Sequence, residues 1–471
     1  MHHIEQVYIN GEFVTPHGTE RFDLYNPATA RVIGQVRLAD AVDGERAIAA
    51  ARAAFPAWSK TTKQVRIAAL QRMHAAVAAR HDDLLEAVVE EYGAPASRSA
   101  WMASYPAEVI AQAIEALEAF EFTTVAGAAT VEMTPLGVAG LITPWNSDAG
   151  FICGKLAAAL AAGCTAVIKP SEMSALQTQI VTEALHAADL PPGVFNIVTG
   201  RGDTVGETIS RHPHVAKISF TGSTRTGKAI LRNAAENFTR VTLELGGKSP
   251  TLILDDADIK QAIPLAVQAG LMNSGQACVA GTRILVPQSR KAEFEQALAQ
   301  AIAAVVSGDP RDAKTVVGPM VSERQWQRVQ GYIQKGLAEG ARLLAGGVGR
   351  PEGTRDGWFV RPTLFTDVHN QMAIAREEIF GPVLCVIAYR DEAEAIAIAN
   401  DTDYGLSALV LGGDSGRARR VAQQIQAGRV LVNTLTHEPK APFGGFKHSG
   451  VGREMGAWGI SAFMEPKSIL S

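Results

Sequence analysis

The stretch LGVAGLITPWNSDAGFICGKLAAALAAG (136–163), followed by TAVIK (165–169), decides the architecture. Its first apolar run ends at Thr143-Pro144, where proline stops further strand pairing. A helical pattern follows, Gly163 closes it, and a second short apolar run begins. This is a strand–helix–strand unit. The texture repeats in VFNIV (194–198), AKISF (216–220) and RVTLEL (240–245). Short strands alternating with helices predict an α/β fold on a parallel sheet, with ligands at the carboxyl ends of its strands. After Gly246 the alternation resumes in TLIL, RILV, GPVLCVIAY, SALVLG and RVLVN, which predicts a second α/β domain. Upstream, residues 41–118 repeat apolar positions at helical spacing. VYINGEFV (7–14) reads as a hairpin turning at Asn10-Gly11, and NPATARVIGQV as a further strand.

Bulk properties narrow the class. The chain has 471 residues, 47% of them hydrophobic, 20% charged, and a net charge of −4. That length implies two or three domains. With no basic run to neutralise phosphates, neither nucleic acid nor an anionic membrane is an expected partner. The most apolar stretch, LAAALAAGCTAVI (156–168), is broken by glycine and falls short of the ~20 residues a membrane helix needs. MHHIEQVYINGEF carries no apolar core of a signal peptide. Cys153, Cys164, Cys278 and Cys385 lie far apart, which fits neither a zinc site nor a disulfide framework. A reducing, cytoplasmic setting and no metal are therefore expected.

Three residues stand out for chemistry, each with a plainer alternative. Cys278 sits in LMNSGQACVAGTR (271–283); Asn273, Ser274, Gly275 and Gln276 are poor core formers and would leave the sulfur approachable in an electropositive setting. A buried core thiol is the other reading. Glu244 ends the strand in RVTLELGGKSP (240–250), where a desolvated carboxylate could serve as a base; a solvated strand glutamate is the alternative. Asn146 could donate to an oxyanion, worth roughly 3–4 kcal/mol, or merely cap a helix, the commoner fate. SFTGSTRTG (219–227) and GRGDTVG (200–206) are glycine turns suited to a pyrophosphate, though neither is a GxGxxG fingerprint. In VIKPSE (167–172), Lys169 could meet a phosphate or ribose oxygen. Glu172 could accept from ribose hydroxyls, which favours NAD over NADP.

Taken together, LELGGKSP, GQACVAGTR, TPWN, KPSE, FTGSTRTG, EEIFGPV (377–383) and PFGGFKHSG (442–450) resemble the aldehyde dehydrogenase superfamily, in its order and over nearly the whole chain. The resemblance implies a hydrolytic, non-acylating NAD(P)-dependent enzyme that oxidises an aldehyde to a carboxylic acid. Cys278 matches the nucleophile, Glu244 the general base, and Asn146 the side-chain donor of the oxyanion hole. Lys155 aligns with a lysine near the proton-relay path, and Glu454 with a glutamate that positions water. On the cofactor side, Trp145, Lys169 and Glu172 match adenosine contacts, Gly222 and Ser223 the pyrophosphate turn, and Glu378 and Phe380 the nicotinamide ribose and ring. Ile142, Thr143, Pro144, Ser171, Gly202, Phe220, Thr226, Leu245 and Gly246 complete that cofactor set. The cofactor implied is NAD, with NADP also possible.

The same resemblance implies a Rossmann-like cofactor domain (1–112 and 132–245), a catalytic domain (246–448) and a small β oligomerisation arm (113–131 and 449–471). A homodimer or homotetramer follows from such an arm. Past Asn146, where the family often has an aromatic and then apolar residues, this chain has Ser147, Asp148, Phe151 and Gly154. These departures predict a roomier, partly polar entrance for elongated aldehydes, without an aromatic cage for a quaternary ammonium. A CoA-acylating enzyme is the competing reading, and a catalytically idle binding or structural protein on the same scaffold is the other.

Overall fold

A computed structural model describes residues 1–354 and 356–470. Its first sheet has eight strands, and the five parallel ones form its centre. From one edge these run Phe195–Ile197, Thr165–Lys169, Val138–Ile142, Val215–Thr221 and Arg240–Glu244. In chain order that is 3-2-1-4-5, so the winding reverses between Val138–Ile142 and Val215–Thr221, the place where such sheets bind ligands. The hairpin Val7–Ile9/Glu12–Val14 adds antiparallel strands at one edge. Its turn residues Asn10 and Gly11 both have positive φ, 55° and 86°, the geometry that a two-residue hairpin loop requires. Gly450–Val451 closes the other edge, antiparallel to Arg240–Glu244.

Strand alternation sorts the core into two layers. Ala139 and Leu141 pack with helices Lys63–Ala78, Ala96–Ala119 and Asp148–Ala162, whereas Val138 and Ile142 pack with helix Ala41–Trp58 and with Ile209 and Ile230. Both faces being covered, Val138–Ile142 and Thr165–Lys169 are buried throughout, as parallel strands should be. Gly163 ends Asp148–Ala162 in the left-handed region at φ 93°, and a Cβ there would lie 2.5 Å from the Arg66 guanidinium. Arg66 in turn donates to Ala161 O near that helix end.

The second sheet has seven strands in the order Arg342–Ala345, Thr363–Thr366, Val383–Tyr389, Arg283–Pro287, Pro250–Ile253, Ser407–Leu411 and Arg429–Val432, all parallel except the first. Five residues, 245–249, join it to the first sheet, so the carboxyl end of Arg240–Glu244 lies at the junction. The small sheet is Met464–Leu470, Ala129–Pro135 and Thr123–Ala126. It is smaller than the arm expected from the sequence. Residues 113–119 instead finish helix Ala96–Ala119, and Gly450–Val451 pairs with the first sheet, where the Leu243 and Glu244 backbone is free to bond it. No described helix is long and apolar enough to cross a membrane.

Candidate active site

A cavity of about 440 Å³ lies at this junction, and Cys278, Glu244, Asn146, Lys155 and Glu454 all line it. Cys278 is half-buried, whereas Cys153, Cys164 and Cys385 are buried. The turn before it is strained: Asn273, Ser274 and Gly275 all have positive φ, at 54°, 60° and 75°. Only a tight surround maintains such a backbone. Gln276 provides it, donating to Pro319 O (3.2 Å) and Tyr92 Oη (3.3 Å) and accepting from the Val321 N–H (3.0 Å). Burial, then Glu378 and Glu244, push the thiol up to about 12, with Arg429 opposing. Among the groups near the sulfur, the two carboxyls raise its proton affinity, and Arg429 and a backbone N–H lower it.

Asn146 does not cap the helix that follows it. Ser147 occupies the cap position of Asp148–Ala162, with no side-chain bond. The Asn146 amide instead donates to Gln276 O (3.0 Å), while Asn273 Nδ2 donates to Asn146 O (3.2 Å). These bonds tie the end of the first sheet to the cysteine turn and leave an N–H₂ group beside the sulfur's loop.

Glu244 is 3% exposed, and among the described residues neither carboxylate oxygen has a hydrogen-bond partner. Burial raises its pKa well above the ordinary value; Glu454 raises it further, and Lys155 and Arg453 oppose. A solvated strand glutamate is therefore excluded. Such a carboxyl binds a proton more strongly than an ordinary glutamate, as a base that activates water requires. Gly444 packs against it: a Cβ at that position would sit 2.8 Å from Glu244 Oε1.

Lys155 Nζ donates to Ser219 Oγ (2.9 Å) and to Glu454 Oε1 (2.5 Å), and Ser219 Oγ donates to the same oxygen (2.7 Å). Asp148, expected at the cavity entrance, is fully buried away from it. Its two oxygens accept from Thr143 Oγ1 (2.5 Å) and Thr178 Oγ1 (2.9 Å), and burial pushes its carboxyl up to about 7. Ser147, Phe151 and Gly154 do line the cavity, and a Cβ on Gly154 would meet Val109 only at 3.6 Å.

The cofactor candidates cluster at the carboxyl ends of the first sheet. Ile142, Thr143, Pro144 and Trp145 continue its first parallel strand, and the Trp145 ring meets Phe380 edge-on at 5.4 Å. The Thr143 hydroxyl is consumed by Asp148. Lys169 Nζ gives its protons to Pro170 O (2.6 Å) and Gly200 O (2.8 Å), and lies 3.5 Å from Glu172. Glu172 also pairs with Arg201 at 3.2 Å, so its carboxylate is held in place. Ser171 accepts from the Met173 N–H (3.3 Å). Gly202 faces open space. The Phe220 ring packs on Gly222, Ser223 caps helix Thr224–Ala235 by accepting from the Thr226 N–H (3.3 Å), and Leu245 is buried beneath Gly227. Glu378 accepts from the Gly247 N–H (3.1 Å) and lies so near Gly246 that a Cβ there would fall 2.2 Å from its carboxylate. Burial pushes Glu378 up to about 7.

Ser219, Thr221 and Arg453 were not singled out in the sequence, although all three line the cavity. The available signal was register. Ser219 pairs with Thr242 and Thr221 with Glu244 on the adjacent strand, so alternate polar residues in KISFT and VTLE form one polar face.

Known proteins agree with this arrangement. The model of the aldehyde dehydrogenase family matches residues 13–469. The 3-succinoylsemialdehyde-pyridine dehydrogenase of a Pseudomonas species is 43% identical over 472 residues, covering 100% of this chain and 99% of that protein. Aldehyde dehydrogenase C of Pseudomonas syringae, solved as a cysteine-to-alanine mutant with NAD+ and octanal, superposes with a TM-score of 0.97 at 46% identity, over 99% of this chain and 96% of its own. A Mycobacterium tuberculosis aldehyde dehydrogenase solved with NAD+ superposes at 0.96 with 39% identity, over 100% of this chain and 98% of its own. With a thiol, a free carboxyl and an amide donor gathered at the junction of two α/β sheets, the chain belongs to the aldehyde dehydrogenase family, enzymes that oxidise aldehydes.

Proposed function

We propose that Cys278 is the nucleophile with which this chain converts an aldehyde to a carboxylic acid, and that NAD is its oxidant. The observation that carries the reading is the meeting of a half-buried thiol, a carboxyl with two unpartnered oxygens and an amide donor in one cavity. The Cys278 sulfur, once deprotonated, bonds to the aldehyde carbon. The oxygen that becomes negative is stabilised by the Asn146 amide and a main-chain N–H of the cysteine turn. A nicotinamide dinucleotide supplies the hydride acceptor when bound. The product left on the sulfur is a thioester. Glu244 takes a proton from water, and the hydroxide so formed releases the carboxylic acid and restores the thiol. Lys155 and Ser219 hold the Glu454 carboxylate near Glu244, where Glu454 raises its proton affinity and Lys155 moderates the rise.

The residues present fit a dinucleotide. The crevice lies at the strand-order reversal, and helix Thr224–Ala235 presents its N-terminus there. Among the described residues the buried Thr221 hydroxyl has no partner, and Gly246 allows only a hydrogen beside Glu378. The fixed Glu172 carboxylate would accept from ribose hydroxyls and repel a 2′-phosphate, which supports NAD over NADP. Residues 1–112 and 132–245 would form the cofactor domain and 246–448 the catalytic domain.

Space at Gly154 supports an elongated aldehyde substrate. The exposed apolar residues Val125, Ile469 and Leu470 on the small sheet support pairing between copies, as a dimer or a dimer of dimers. A cytoplasmic location accords with chemistry that needs a reduced thiol. The free oxygens of Glu244 favour water over CoA as the group that releases the thioester; product analysis with and without CoA separates the two. The central test is Cys278→Ser. It should abolish NADH formation while NAD binding persists, and mass spectrometry of the trapped wild type should place the acyl adduct on residue 278. Substantial turnover by the serine variant would overturn the reading.

A further inference from the structure

One stripe of helix Ala96–Ala119 walls the cavity: Arg98, Trp101, Tyr105, Val109 and Gln112, at spacings of three and four residues. Trp101 and Tyr105 stack with centroids 4.3 Å apart, and the Arg98 guanidinium lies 3.6 Å from the Trp101 ring centre. By ordinary rules this arginine is at the wrong end of its helix. It sits in the first turn, where the backbone N–H groups favour an anion, and no acidic residue accompanies it there. Among the described residues its buried Nε has no hydrogen-bond partner, and no carboxylate forms a salt bridge with it. The titratable groups that face it are Tyr92 and Tyr105, whose phenols burial keeps protonated and uncharged.

The second half of the chain adds cationic and donor groups to the same cavity. Arg429 donates to Ser407 Oγ (3.2 Å), packs 5.7 Å from the Phe443 ring centre and pairs with no acid among the described residues. His437 lines the cavity too, with its buried Nε2 unpartnered among the described residues. The lining's own acids do not pair with these groups: Glu454 is taken by Lys155, and among the described residues Glu244 bonds neither arginine. Unpaired guanidinium groups in a largely apolar cavity are costly until an anion meets them. A planar guanidinium also matches a carboxylate edge to edge, with two parallel hydrogen bonds.

Building on the aldehyde-oxidising reading above, we propose that the substrate is an aldehyde carrying a carboxylate at its far end, with Arg98 as the anchor for that carboxylate. The Trp101–Tyr105 stack lies along its chain, and Arg429 and His437 make the way to Cys278 attractive to an anion. The product is then a dicarboxylate, formed by the same reaction and with the same electron balance.

The test compares kcat/KM with NAD for semialdehydes from adipate to suberate, their methyl esters and the alkyl aldehydes of equal length. Wild type, Arg98→Leu and Arg98→Lys are assayed, with NAD binding as the check on folding. The acids should outperform their esters by at least roughly tenfold in wild type, as one desolvated ionic contact implies. Arg98→Leu should lose most of that ratio, chiefly through KM, and Arg98→Lys should retain more of it. Equal use of acid and ester by wild type would overturn the proposal, as would an intact ratio in Arg98→Leu. Oxidation of alkyl aldehydes with no preference for the acids sinks this inference alone, whereas no oxidation of any of them sinks the Cys278 reading with it.

Discussion

Lys155 and Glu454 stand 299 residues apart and form an ion pair at 2.5 Å, with the lysine almost wholly buried. The contact joins the helix after the first parallel strand to the segment just past the strand Gly450–Val451. Ser219 donates to the same carboxylate oxygen, so its position is doubly set. Both members of the pair act on Glu244, in opposite senses: Glu454 raises its proton affinity and Lys155 lowers it.

The two halves of this pair should therefore shift the pH profile in opposite directions. Glu454→Gln removes the charge that raises Glu244 and leaves Lys155 to lower it, so the acid limb of kcat moves to lower pH. Lys155→Met leaves Glu454 unopposed, and the limb moves to higher pH. Both variants should lose roughly 10²-fold in kcat. Limbs that move the same way in both would contradict the coupling.

Glu244→Gln should still release NADH in a first-turnover burst, because bonding at Cys278 and loss of hydride precede hydrolysis. The steady state should then fall by roughly 10²–10⁴, the usual contribution of a positioned base. Stopped-flow absorbance at the NADH band reads both phases. A normal steady state would mean that another group activates water.

Removing the amide of Asn146 tests the oxyanion assignment. Asn146→Ala should lower kcat by roughly 10²–10³ with a smaller effect on KM. Loss of its bond to Gln276 O should also cost about 1 kcal/mol of stability, measured by denaturant unfolding. A kcat within a few-fold of wild type would leave Asn146 a bracing role only.

Gly246→Ala places a methyl group where the Glu378 carboxylate now lies, 2.2 Å from the Cβ position. The carboxylate must swing away, and NAD binding measured by calorimetry should weaken about tenfold, or about 1.4 kcal/mol. Unchanged affinity would remove Glu378 from the cofactor site.

Asp148 carries a stability prediction. Its folded-state pKa, about 7, is raised by burial from an ordinary 3.8. Between those values the folded protein holds a proton that the unfolded chain has lost, so its contribution to stability is full below about 4 and declines until about pH 7. Asp148→Asn has no such titration. The melting temperature of wild type minus that of Asp148→Asn should fall from pH 5 to 7 and level off above; a constant difference would show that the carboxyl does not hold its proton when buried.

Much of the fold was legible because it is written in short-range pattern. Period-two alternation in VAGLI places Ala139 and Leu141 on one face and Val138 and Ile142 on the other, and the two layers of the core divide in that way. Asn10-Gly11 specifies a hairpin through its own backbone preferences. The site was less legible. The proline and polar residues after Ile142 mark a strand end, but Asn146 could equally have capped the next helix. Ser219 was missed because its meaning comes from the partner strand and from Glu454, far away in the chain.

What the chain's letters determined alone was the alternation of strands and helices, the turns between them, and the motifs that bring Cys278, Glu244 and Asn146 under suspicion. Those follow from torsional preference and periodicity, which act over a few residues. Which way each candidate faces, and what charge it keeps, was decided only by folding. Burial and pairing between segments hundreds of residues apart strip water from Glu244, raise the proton affinity of the Cys278 thiol, turn Asp148 away from the cavity and leave Arg98 without a counter-ion among the described residues.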